Sequence, residues 1–139
     1  MTLKNVYIDV ESDPSVLTIR ALYPGLDNDW NSLEEVRIGF SKGLRLDQIV
    51  LFCSSDFVWQ QKESLRMGLE QELSNEQIKI VANNQLSVAQ MDQIINGFLH
   101  YELTTDKAAH FVEKGFTWQE IERAYLSISK REHALIEPA

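Results

Sequence analysis

One cysteine, three prolines and thirteen basic residues in 139 leave several classes of protein without support. Cys53 has no second thiol to pair with, so an internal disulfide is excluded and a reducing, cytoplasmic setting is expected. No apolar run approaches the roughly 18 residues that span a bilayer, so no membrane association is expected. The opening Met1-Thr2-Leu3-Lys4-Asn5 leads into a strand-like pattern without the apolar core of a signal peptide. Bases are outnumbered by acids in residues 1–29, 30–58, 59–87, 88–117 and 118–139 alike, for a net charge of −8. That spread argues against a counterion-releasing grip on nucleic acid.

Catalytic signatures are equally scarce. The glycines stand singly and form no phosphate-cradling loop, and no G-x-S-x-G turn occurs. His100, His110 and His133 lack the i, i+3 or i, i+4 partner of a helical metal site, and one cysteine cannot complete a zinc set. Asp9, Glu11 and Asp13 alternate as on one strand face, but without the glycine and distal glutamate of a calcium loop. Cys53 aligns with Ala82 and Val112 and reads as a core thiol. The expectation is a protein without enzymatic activity, cofactor or metal.

What the sequence does contain is a repeat. Residues 30–58, 59–87 and 88–117 align, with one residue inserted between Gly97 and Leu103, and a truncated fourth unit occupies 118–139. Trp30, Trp59, Val88 and Trp118 open the units. Val36, Leu65, Ile94 and Ala124 make a second apolar column. Gly39, Gly68, Gly97 and Ser127 form a small-residue column, followed by Phe40, Leu69, Phe98 and Ile128. Leu44, Leu73 and Leu103 lie near a turn; Ile49, Ile78 and Ala108 then precede Phe52, Val81 and Phe111; Phe57, Leu86 and Phe116 close the units.

Helical spacing within each unit predicts two helices and a short turn. Ser74 with Gln77, Ser87 with Gln90, and Thr117 with Glu120 match the capping box, and Asp29 and Thr104 occupy N-cap positions. Glycine inside a helix costs about 0.5–1 kcal/mol relative to alanine, so a recurring one points to a geometric need. That need is close helix approach within the stack, or else the approach of a partner's backbone. The fold expected is mainly α: tandem two-helix repeats forming a short helical solenoid or bundle.

Residues 1–29 read differently. Val6, Ile8 and Val10 alternate with Tyr7, Asp9 and Glu11, and Val16-Leu17-Thr18-Ile19 follows as a second β-rich run. This predicts an N-terminal β-hairpin, left through a turn at Tyr23-Pro24-Gly25. A lone hairpin is marginal in water, so it is expected to pack on the first repeat, or to pair at its edge with a partner or a second copy. Tyr7, Asp9 and Glu11 are therefore candidate partner-binding residues. Arg37 and Arg66 share a column with Ile95 and Tyr125 and form a candidate recognition strip; the alternative is ordinary helix arginines paired with nearby acids.

The strings LEEVRIGFSKGLRLDQIVLFCSSDFVW and KESLRMGLEQELSNEQIKIVANNQLSV resemble short tandem helical repeats of about 29 residues found in proteins of Firmicutes phages and conjugative elements. Leu46, Ala108 and the inserted residue depart from that pattern, and Glu72 stands where the turn glycine is usual. The resemblance implies a mobile-element setting without assigned chemistry. By analogy of context and size, it suggests an inhibitor of a bacterial defence nuclease, an anti-CRISPR or antirestriction protein acting on a Cas9-type effector. The expected function is thus a protein-binding module, with a helix-turn-helix-like DNA-binding accessory protein as the other reading.

Overall fold

The computed structural model describes residues 14–136, with side chains through residue 128. All eight regular helices among the described residues are α-helices that pack in sequence pairs. These are α1 (Pro14–Leu22), α2 (Trp30–Ser41), α3 (Leu46–Ile49), α4 (Trp59–Glu70), α5 (Asn75–Val81), α6 (Val88–His100), α7 (Thr105–Lys114) and α8 (Trp118–Ile136), with a 3-10 turn at Pro24–Asn28. The longer first helices pack in series, α2 on α4, α4 on α6 and α6 on α8, while α5 packs on α7.

The apolar columns are the core. Val36, Leu65 and Ile94 are fully buried, as are Ile49, Ile78 and Ala108, and Phe52 and Val81. The opening column is different: Trp30 is 67% exposed and Trp118 40% exposed, so it forms a rim.

The glycine column makes room for these side chains. A Cβ on Gly39 would stand 2.7 Å from Ile49 Cδ1, and one on Gly68 3.0 Å from Ile78 Cδ1. On Gly97 it would meet Leu103 Cδ2 at 2.9 Å and Tyr125 Cδ2 at 3.1 Å. Close packing inside the stack therefore accounts for the column.

Caps fix where each helix begins and ends. Ser74 and Gln77, Ser87 and Gln90, and Thr117 and Glu120 bond reciprocally, each hydroxyl accepting the N3 amide and each N3 side chain accepting the N-cap amide. After α2, Leu44 N donates to Gly39 O and Gly43 N to Phe40 O, and after α4 Leu73 and Glu72 repeat these bonds to Gly68 and Leu69. This is the Schellman closure, which needs a left-handed residue: Gly43 has φ +91° and Glu72 φ +71°. The inserted residue of unit three is absorbed in the same turn. Leu103 N reaches back six residues to Gly97 O, and Glu102 takes φ +53°.

Three expectations are corrected. Val16-Leu17-Thr18-Ile19, read as a strand, lies inside α1. Val16 and Ile19, three residues apart, are both fully buried, and burial of that helical stripe overrides the β preference of the run. Thr18 Oγ1 also donates to Pro14 O within the helix. Tyr23-Pro24-Gly25 leads into the 3-10 turn rather than leaving a hairpin. The second helix of unit one is a single turn, α3, after which Leu51 and Phe52 bond back three residues instead of four. The first expected strand, with Val6, Ile8 and Val10, lies outside the described residues.

Candidate functional site

Two inter-unit features dominate the face made by α2, α4, α6 and α8. The first is a polar contact between one pair of columns, made at the first and third junctions and absent from the second. Between α2 and α4, Arg66 Nε donates to Glu35 Oε2 at 2.6 Å, and Arg66 Nη1 to Glu70 Oε1 at 2.8 Å. Between α6 and α8, the Tyr125 hydroxyl donates to Gln93 Oε1 at 2.5 Å and accepts from Asn96 Nδ2 at 3.0 Å. Between α4 and α6 the equivalent positions hold Ser64 and Ile95, which cannot pair. Ile95 instead turns toward Gly68, where its Cδ1 lies 3.4 Å from the position of a Cβ.

That substitution of small for long side chains leaves a groove of about 430 Å3 at the middle junction. Ile95, Leu99 and Val88 give it an apolar wall opposite Met67, which is 46% exposed. Glu63 and Asp92 supply its charge.

The second feature is a column of acids. Glu34, Glu63, Asp92 and Glu122 occupy one repeat position, so each first helix presents one carboxylate. Packed helices lie about 8–10 Å apart, which sets the spacing of the ladder. Glu34 accepts from Arg37 Nη1 at 3.3 Å and Glu122 from Gln93 Nε2 at 3.3 Å, while Asp92 is exposed.

The two arginines of the expected recognition strip separate in environment. Arg66 is 8% exposed and held between Glu35 and Glu70, so it braces a junction. Burial pushes the Glu35 carboxyl above its ordinary range, and the hydrogen bond and charge of Arg66 oppose that push. Arg37 is half-buried beside Glu34. Tyr7, Asp9 and Glu11 lie outside the described residues.

Several further polar residues hold the units together. Gln61 accepts from Val58 N at 2.9 Å, completing a cap that valine cannot provide, and donates to Leu86 O at 2.8 Å. Gln90 repeats the second bond, to Phe116 O at 2.8 Å, so each glutamine ties the start of its unit to its closing residue. Lys62, 1% exposed, donates from Nζ to Ser32 Oγ at 2.8 Å. Aligned by column, the charged residues show the carboxylate ladder in the sequence; no such signal marks Lys62.

Compared with known proteins, the chain has no significant match to a protein family, to a curated protein or to a solved structure. Among the described residues, no helix is long and apolar enough to cross a membrane.

Proposed function

We propose that this chain is a non-catalytic protein-binding module, a short helical-repeat scaffold whose acidic face engages a basic surface on another protein. The observation that carries the reading is the ladder of Glu34, Glu63, Asp92 and Glu122, running beside a groove with an exposed methionine. Stacked helical units commonly present such extended surfaces to partners. Carboxylates in a row speed encounter with a basic patch and set its register, while the Met67 groove adds a site where one apolar side chain can be buried.

A basic channel that normally holds nucleic acid has the complementary charge. Together with the resemblance to mobile-element repeats, this favours an inhibitor of a defence nuclease of the Cas9 type. The ladder also weighs against the helix-turn-helix-like reading, because the face repels phosphate.

The test is retention and inhibition of purified Cas9-type effectors by the wild-type chain and by Glu63→Lys/Asp92→Lys, at two salt concentrations. Binding that weakens with salt and is lost in the variant is the expected result. If no effector is bound or inhibited at micromolar concentration, the inhibitor reading falls. Binding of naked duplex at low salt replaces it with the DNA-binding one.

A further inference from the structure

The middle junction lacks what its neighbours have. Arg66 reaches from α4 to Glu35 on α2, and Tyr125 from α8 to Gln93 on α6. At the same two columns α4 and α6 carry Ser64 and Ile95. The space filled elsewhere by a guanidinium or a phenol is the groove of about 430 Å3.

Ser64 points to an occupant. The residue is 7% exposed and lines the groove, and its hydroxyl neither donates nor accepts a hydrogen bond among the described residues. A hydroxyl so far withdrawn from bulk water is costly without a partner, and a polar group entering the groove supplies one.

Two carboxylates stand beside it. Glu63 precedes Ser64 on α4, and Asp92 lies one turn before Ile95 on α6; both line the groove. Neither makes an ion pair or hydrogen bond among the described residues. No lysine or arginine lines the groove, and His100 is the one lining residue that can become cationic. The groove therefore selects a cation.

Its apolar wall narrows the choice further. A wholly apolar side chain would cover that wall but leave Ser64 unpaired and both carboxylates uncompensated. A lysine ammonium is a compact, strongly hydrated point charge. Arginine joins an apolar stem to a planar fork of five donors, which can serve several fixed acceptors at once.

We propose that the middle groove receives an arginine side chain from a partner protein. Its stem lies along Ile95, Leu99 and Met67, and its guanidinium donates to Glu63, Asp92 and the Ser64 hydroxyl. The partner thus supplies from outside the bridge that Arg66 makes from within. This rests on the reading of the chain as a protein-binding module, and names the side chain that its acidic face selects.

The experiment is methyl NMR of the full chain, read at Met67, with blocked alanine peptides carrying one central arginine, lysine or citrulline. Citrulline keeps the shape of arginine without its charge. A saturable shift at millimolar arginine peptide, weaker for lysine and absent for citrulline, is expected. Glu63→Gln/Asp92→Asn keeps the shape of the groove and should weaken arginine binding about tenfold, roughly the sum of two partly exposed charge contacts. Ser64→Glu/Ile95→Arg builds the bridge of the first junction into the second and should abolish binding. If that variant does not fold, the charge-removing one decides, because Asp92 is exposed and Glu63 half-buried. No saturable shift, equal affinity for the lysine or citrulline peptide, or unchanged affinity in Glu63→Gln/Asp92→Asn each overturns the proposal. If a Cas9-type effector binds and the arginine peptide does not, this assignment alone falls. If the peptide binds and no effector does, the assignment stands and only the inhibitor reading falls.

Discussion

Glu35 on α2 and Arg66 on α4 meet at 2.6 Å with side chains only 6% and 10% exposed. A charge pair this dry is held by mutual compensation, so removing one member is far worse than removing both. Arg66→Met should cost about 3 kcal/mol, because Glu35 is left buried without its counter-ion. Glu35→Ser/Arg66→Ile copies the middle junction and should recover most of that loss. Urea unfolding of Glu35→Ser, Arg66→Ile and the double variant checks this; single losses that simply add in the double would refute the coupling.

The turn after α4 offers a gain in stability. Glu72 holds φ +71° where the first unit has Gly43. A side chain in the left-handed region costs roughly 1–2 kcal/mol, and glycine's greater freedom in the unfolded chain returns part of that. Glu72→Gly should therefore stabilise the protein by about 0.5–1 kcal/mol. The melting temperature should rise, while Gly43→Ala should lower it.

Acid should weaken the first junction. The Asp29 carboxyl is held below the ordinary aspartate range, chiefly by the Ser32 hydroxyl and also by the Ser32 amide and Lys62, against an opposing contribution from burial. The folded chain thus binds this proton less readily than the unfolded chain does. Its stabilisation is complete above the ordinary aspartate range, near pH 4, and is lost as pH falls through the lower folded value. Asp29→Asn keeps an N-cap acceptor but does not titrate. The variant should be the less stable at neutral pH, and the gap should close as pH falls below the ordinary aspartate range, read by urea titrations at neutral and at acid pH. A gap that stays constant would show that the charge contributes nothing.

The parts of this fold visible in the sequence are those set by repeated apolar contacts and by local hydrogen bonds. Ile49 and Ile78 share a column because both fill the space above a glycine, and Ser87 with Gln90 caps a helix through bonds four residues or fewer apart. Helix α1 was hidden because Val16-Leu17-Thr18-Ile19 has strand composition, and only its burial against the repeats selects the helix; Pro14 at its first position was the available cue. The burial of Arg66 and Lys62 is hidden for a related reason. Periodicity sends charges to the wet face, whereas in a stack that face of one helix is partly covered by the next. The groove at the middle junction joins Ser64 to Ile95, more than thirty residues apart, and no local pattern encodes it.

The differing chemistry of the three junctions also fixes the order of the units. Deleting residues 59–87 would splice two well-formed units together, yet would seat the Glu35 carboxylate against Ile95. Exchanging units between two copies during folding would meet the same mismatch. Identical repeats can slip, swap, expand and contract with little penalty; here each neighbour recognises only its own successor. Slippage or exchange of units would therefore leave a buried Glu35 or Arg66 facing a side chain that cannot pair with it.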